Sequence, residues 1–515
     1  MARSLKHSFM RYIYGALLLC SIIFWSSCRN DFETIPSTGN LTFSKDTVYL
    51  DTVFTNIGSS TYNLKVYNNS KDDIHIPVLK LAQGENSHYR LNVDGMPGKV
   101  FENVQILAKD SIFIFIETTF DINSVPGVDN EFLYTDQILF ENGAQQQKVE
   151  LVTLIRDAVF LYPQLYPDGT KETLILGSGD NTVEIPGFIL PDERLTFTNE
   201  KPYVIYGFAA VPPNKTLTVN AGARIHFHAE SGILVAQNAS LKALGQPSVN
   251  KELMENEIIF QGDRLEPQFA NVPGQWGYIR LTSGSVGNEF HHTTIKNGML
   301  GLVVEDSPVT LKNVQIYNSS NIGLLSRTGI IYGENMVINN SGQASLGLQL
   351  GGSYEFNHCT FSNYWSGSFR SFPTVLIENT LETPEAIFVA DLVKANFTNC
   401  IIYGSDRREI GLYRHEQGSF NFNFTNSLIK FEDPMGEFKD HPLYDFENEA
   451  MYSNNLFNSD PKFFNYQKNN FNIIKGESAA EEIGKSGVLP PIDLNGNMRT
   501  SPPDAGAYEA TVIPD

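Results

Sequence analysis

The stretch Leu311-Lys312-Asn313-Val314-Gln315-Ile316 decides the fold, because five other segments repeat its pattern: Phe290 to Ile295, Gly333 to Ile338, Phe356 to Phe361, Phe397 to Ile402 and Phe424 to Ile429. Their last residues lie 21, 22, 23, 41 and 27 positions apart. Apart from the 41-residue interval, which must hold an insertion or a divergent extra unit, this is one repeat of about 22 residues. Gly301, Gly323 and Gly347 repeat in step with it, each opening a short apolar run.

A period of that length, made of strand-like runs, suits one turn of a parallel β-helix, in which short strands stack about 4.8 Å apart. Ile295, Ile316, Ile338, Phe361, Ile402 and Ile429 are then an internal apolar column. Two positions earlier stand Thr293, Val314, Met336, Cys359, Cys400 and Ser427, small or apolar enough to point inward. Immediately before that second column come His292, Asn313, Asn335, His358, Asn399 and Asn426. Asn tolerates the left-handed backbone of a tight bend and can hydrogen-bond along a stack of such bends. The column resembles the asparagine ladder of parallel β-helices, and Asn297, Asn318, Asn340 and Asn363 suggest a second one. Upstream, Leu217–Phe227, Gly232–Gly245, Glu257–Gly262 and Gly274–Ile279 resemble opening coils, which places a right-handed parallel β-helix over 201–432.

Residues 41–156 alternate differently. Thr47–Phe54, Tyr62–Asn68 and Ser111–Thr118 read as half-buried strands, separated by turn residues such as Asp94-Gly95. A β-sandwich is expected, and the run from Phe54 to Asn69 resembles Ig-like and major-sperm-protein-like modules, which serve as spacers. The Pro-, Gly- and Asp-rich segment 157–200 is expected to connect the two domains. The fold class is therefore all-β, an Ig-like sandwich followed by a solenoid, with a capping segment over 433–515. Within that segment Asp493-Leu-Asn-Gly-Asn-Met-Arg499 and Asp504-Ala-Gly-Ala-Tyr-Glu509 are similar to the C-terminal end of secreted bacterial β-helix proteins of the pectate-lyase-like superfamily. As a cap, Arg499 would pair with an Asp such as Asp504, and Tyr508 would cover the open end.

The start of the chain reads as an export signal over 1–27: Arg3, Lys6 and Arg11 precede an apolar run, Tyr12 to Trp25, too short to span a bilayer comfortably. Ser26, Ser27 and Cys28 resemble a bacterial lipobox, with Trp25 where the pattern usually has Leu. The resemblance implies lipidation of Cys28, a tether over 28–40 and an outer-membrane lipoprotein. The acidic residues after Cys28 resemble the surface-export signal of Bacteroidetes lipoproteins. Of the remaining cysteines, Cys20 lies in the signal. Cys359 and Cys400 are expected to be free buried thiols, or a disulfide if a single enlarged coil separates them.

A formal net charge of −21 argues against nucleic acid as a partner, since phosphate binding needs clustered Lys and Arg. No metal or cofactor motif is present. The pectate-lyase-like resemblance raises a polysaccharide lyase or a glycoside hydrolase acting on an acidic polysaccharide, yet fold alone does not carry activity. His292 and His358 fall in the ladder column. His291 beside them points outward and stays a candidate acid–base residue. Arg407 and Arg408, in the charged run Asp406 to Glu409 with Arg414 and His415, are candidates for a lyase centre. No acidic triad with repeat-matched spacing is apparent. Tyr364, Trp365 and Phe369, in a Gly/Ser-rich insertion, are candidates for stacking on sugar rings. The reading that follows is a non-catalytic envelope lipoprotein, held to the membrane through Cys28, that presents its solenoid surface to a polysaccharide or a protein partner. The alternative is the lyase or hydrolase.

Overall fold

The computed structural model describes residues 33–141, 145–177 and 182–512. Cys28, the signal segment 1–27 and the first part of the tether lie outside the described residues. The protein is all-β, with only single-turn helices between strands among the described residues, and its chain divides into two compact units after Ile155. None of the described helices is long and apolar enough to cross a membrane.

The first unit is built from two sheets. One takes Thr47–Phe54, Ile74–Leu81, Val100–Ile106, Glu131–Glu141 and Gln146–Arg156, with Ile35–Pro36 at its edge; the other takes Thr42–Phe43, Tyr62–Tyr67, Tyr89–Val93, Met96–Gly98 and Ser111–Thr118. Alternation sends Leu50, Ile76, Ile138 and Leu151 from one sheet, and Leu64, Leu91, Ile114 and Ile116 from the other, into a single core. Tyr89, fully buried there, donates to the Tyr134 carbonyl at 3.1 Å and pairs with Thr153 at 2.9 Å, so its hydroxyl is not left unsatisfied.

The second unit is dominated by parallel pairing. Among the described residues nineteen strands form one continuous sheet and ten a second, and, apart from Thr173–Leu176, which pairs antiparallel with Val183–Ile189, each strand lies parallel to the corresponding strand of the next turn. Register links Ile295, Ile316, Ile338, Phe361, Ile402, Ile429 and Phe457 in unbroken succession, and all but the last are fully buried. A second inward column runs Phe290, Leu311, Gly333, Phe356, Phe397, Phe424 and Tyr452. Its rings stack, Phe397 on Phe424 at 4.8 Å and Phe424 on Tyr452 at 5.6 Å. Gly333 is the one small member, and a Cβ there would sit 2.6 Å from Met336 Sδ and 2.7 Å from the Phe356 ring.

Between strands the chain bends through left-handed residues, and the ladder columns supply them. His292, Asn313, Asn335, His358, Asn399 and Asn426 all have φ between 43° and 56°. Asn335 donates to Asn313 Oδ1 at 2.9 Å, while the amides of Asn313 and Asn399 meet the Nε2 atoms of His292 and His358 at 3.1 and 2.9 Å. The second column holds for Asn297, Asn318 and Asn340, with amide bonds of 3.1 and 2.8 Å. Asn363 departs from it. Its amide turns inward to the Ser341 and Gln343 carbonyls, both at 2.9 Å, because the chain leaves the stack there for the long insertion.

That insertion is one enlarged turn. Phe361 pairs directly with Ile402, so the extra residues form a loop over 364–374 and the antiparallel hairpin Thr380–Glu382 with Ile387–Val389. Cys359 and Cys400 therefore occupy equivalent places on adjacent strands, and both are buried free thiols. Burial pushes the Cys359 thiol up.

The stack is longer than 201–432 at both ends. Val159–Leu161 already pairs with Tyr203–Ile205, and Val183–Ile189 with Phe208–Val211, so segment 157–200 belongs to the first turns; its Pro and Gly serve the bends between short strands. At the far end Tyr452–Ser453 and Leu456–Phe457 continue both columns. Beyond Phe457 the chain does not cover the open end. It runs back along the ladder: Ile483, Lys485 and Ile492 give their carbonyls to Asn426, Asn399 and Asn335 at 2.8, 3.0 and 2.9 Å, and Lys251 donates to the Asn495 carbonyl at 2.8 Å. The expected Arg499–Asp504 pair is not formed. Arg499 binds Glu509 at 2.9 Å and Asn335 Oδ1 at 2.7 Å, because the Asp504 carboxylate is occupied by the backbone N–H groups of Glu482 and Ala510. Tyr508 packs among Tyr317, Val337 and Phe471 on the flank of the stack.

His358 gives this ladder a pH dependence. Burial, and then the Arg499 charge, pull its imidazole down to about 3, against an ordinary value near 6.5. Below about pH 6.5 the unfolded chain takes up a proton that the folded chain refuses, so stability falls as pH falls from there towards 3. By pH 5 the loss from this residue is roughly 2 kcal/mol. His358→Asn keeps a residue suited to the bend and removes the titration. Denaturant unfolding at pH 7.5 and pH 5 should show its stability rising by about that amount relative to the parent; parallel pH curves would contradict this account.

Candidate functional site

Because side chains alternate along a strand, the residues flanking the buried Phe290–Phe424 column face outward. Register aligns them in two columns. One runs Lys242, Glu289, Thr310, Tyr332, Glu355 and Asn396; the other runs His291, Lys312, Glu334 and Asn357. Glu289, Thr310, Tyr332 and Glu355 of the first column and His291 and Lys312 of the second line a groove of about 630 Å³ across the strands Asn288–Lys296, Pro308–Ser319, Ile330–Glu334, Gly352–Asn357 and Leu392–Thr398.

Its charges are paired across neighbouring strands. Lys242 holds Glu289 at 2.9 Å, Lys312 holds Glu334 at 3.1 Å and Lys394 holds Glu355 at 2.7 Å. Glu334 also accepts the Tyr332 hydroxyl at 2.8 Å, and burial with that bond pushes the phenol up to about 12. His291 lies 3.8 Å from Glu289; burial draws its imidazole down while Glu289 opposes the shift, so the ring is neutral near pH 7. The site thus offers carboxylates, ammonium groups, a phenol and a neutral imidazole, a set able to hydrogen-bond hydroxyl-rich ligands and to exchange protons.

Of the residues singled out in the sequence, only His291 joins this groove. Its carboxylates form no stacked triad: Glu289 and Glu355 share one column three strands apart, and Glu334 falls in the other. The signal for these columns lay four and six positions before the final Ile or Phe of each repeat, outside the columns used to establish the period.

Arg407 and Arg408 do not line the groove. Arg407 is exposed, and Arg408 bonds Glu437 at 2.7 Å with its guanidinium 4.8 Å from the centre of the Phe438 ring. The chemistry of that run lies in Glu409, which is fully buried. Its carboxylate takes both terminal nitrogens of Arg370 at 2.9 Å, the Thr374 hydroxyl at 2.7 Å and the Asp406 N–H at 2.8 Å. This is an anchor for the insertion. Tyr364 and Trp365 line a separate cleft beside the ladder, whereas Phe369 is 90% exposed and outside it. Among the described residues, no group of three His, Cys, Asp or Glu side chains is arranged to hold a metal ion.

No protein family and no curated protein matches the sequence. Among solved structures, a family 123 glycoside hydrolase from Clostridium perfringens, whose title concerns glycolipid glycan hydrolysis, matches at 9% identity over 24% of this chain, with a TM-score of 0.16. The match spans 30% of that structure's length, and a likeness at that score carries no argument about this protein.

The buried pair yields a measurable expectation. Glu409→Ala leaves Arg370 without its carboxylate and should cost about 3–5 kcal/mol, whereas the double substitution with Arg370→Met should cost less than the two single changes added. A double-mutant cycle by denaturant unfolding measures the coupling, and additive losses would remove Glu409 as the anchor.

Proposed function

We propose that this chain is a cell-envelope lipoprotein, anchored through Cys28, in which an Ig-like spacer carries a right-handed parallel β-helix of the pectate-lyase-like kind, and that the outer groove of the β-helix binds a glycan. The stacked registers and the left-handed Asn bends support the β-helix, and the two sheets sharing one core support the sandwich. The observation that carries the function is the groove itself. Five consecutive strands present polar side chains in fixed columns, and the three Lys–Glu pairs balance its charge, so it offers a periodic set of hydrogen bonds to an extended, hydroxyl-rich polymer.

One observation favours hydrolysis as a second reading: Glu289 and Glu355 both line the groove, and glycoside hydrolysis uses carboxylates. A lyase centre at Arg407 and Arg408 has no comparable support.

The anchor is tested by labelling cells with a radioactive fatty acid. The parent chain should carry label and sediment with membranes, and Cys28→Ala should do neither; label retained by the variant would refute lipidation at that residue.

For the groove, the full chain in detergent is passed over immobilised neutral and uronic-acid polysaccharides while reducing ends and unsaturated products are followed. Retention without turnover, weakened at least tenfold by Glu289→Gln with Glu355→Gln, is expected. Sustained release of reducing ends that Glu355→Gln abolishes would establish the hydrolase instead. Failure to bind any polysaccharide would sink both.

A further inference from the structure

A second cleft of about 470 Å³ lies where the returning C-terminal segment crosses the second ladder. One wall is the ladder itself, Asn318 and Asn340, with Asn271 beside it; the other is Tyr466, Gln467 and Asn469 of the returning segment. The walls are pinned together by Asn339, which donates to Asn469 Oδ1 at 2.8 Å and accepts the Tyr364 N–H at 3.1 Å. Tyr364 spends one face stacking on Tyr466 at 3.9 Å. Trp365 is held by its indole N–H on Ser368 at 3.0 Å, and two glycines make room for it: a Cβ on Gly367 would come within 2.7 Å of the indole, and one on Gly342 within 3.4 Å.

Two features distinguish this cleft from the outer groove. No charged and no aliphatic side chain lines it, in a chain that is 18% charged; its surface is amides, hydroxyls and aromatic rings. The ladder also ends here. Asn340 donates to Asn318, but because Asn363 has turned inward nothing continues the column, and among the described residues Asn340 Oδ1 accepts no hydrogen bond. Nor, among them, do Asn271 Nδ2, Asn469 Nδ2 or the Gln467 amide have a partner. Unspent donors and acceptors thus surround one indole.

We propose that this cleft, formed where the C-terminal segment meets the interrupted ladder, binds an uncharged sugar, with Trp365 as its stacking platform and the free amides of Asn271, Asn340 and Asn469 meeting its hydroxyls. Sugar hydroxyls donate and accept, as these amides do. A uronate or sulfated sugar would bring a charge with no cation to receive it, a costly burial. A peptide would find no pocket for an aliphatic side chain. The assignment rests on this cleft alone and stands whether or not the outer groove binds a glycan.

The test titrates the full chain in detergent with hexasaccharides built from glucose, mannose, galactose or N-acetylglucosamine, and with hexagalacturonate, by calorimetry. At least one uncharged hexasaccharide should bind, at least tenfold more weakly to Trp365→Ala and within threefold of the parent to Trp365→Phe. If Trp365→Ala fails to fold, Gln467→Ala, an exposed change, should weaken binding at least threefold. The proposal is overturned if no uncharged hexasaccharide binds, if the galacturonate is preferred, or if Trp365→Ala or the substituted Gln467→Ala leaves binding intact. Binding lost in Glu355→Gln but kept in Trp365→Ala also overturns it, and assigns the sugar to the outer groove.

Discussion

The left-handed bend residue and its side-chain bond to the next bend organise the whole second unit. A residue held near φ of +50° is strained for most side chains, and Asn meets the requirement while its amide closes a bond to the equivalent residue one turn away. Once that bend is fixed, each following strand starts at the same place, and parallel pairing transmits the register through the stack. Every column must then be chemically uniform: buried Ile and Phe within, and outside it whatever the surface requires. Two histidines serve in the ladder because an imidazole Nε2 accepts from the next amide, at the expense of a buried ring that resists protonation.

The same uniformity explains which features the sequence disclosed. The Ile295–Ile429 column, the ladder membership of His292 and His358, and the strands Thr47–Phe54 and Ser111–Thr118 were all legible, since each is a local pattern of period two or about 22. The outer columns share that period, but they hold Glu, Thr, Tyr, His and Lys in turn, so no single residue type marks them. Only alignment by register puts Glu289 and Glu355 in one column.

What was not legible depends on contacts with no repeat at all. Glu409 looked like part of a surface charge cluster because its partner Arg370 lies 39 residues away, in a loop outside the repeat. The route of the chain after Phe457 was equally hidden. A terminal segment rich in Asp, Gly and Pro suits a cap, and only the long-range bonds of Asn335, Asn399 and Asn426 show that it follows the flank. The Trp365 cleft is a product of this route, for its second wall belongs to the returning segment.

That return path has a consequence for the order of assembly. Residues 483–499 bind tiers laid down much earlier, with 164 residues separating Asn335 from Arg499. Closing so long a loop gains nothing until the intervening turns have stacked, so the flank is sealed last. Until then Asn426, Asn399 and Asn335 lack the carbonyls of Ile483, Lys485 and Ile492, and Arg499 lacks the Asn335 amide oxygen. A chain that stopped short of residue 483 would carry a finished interior beside an open seam.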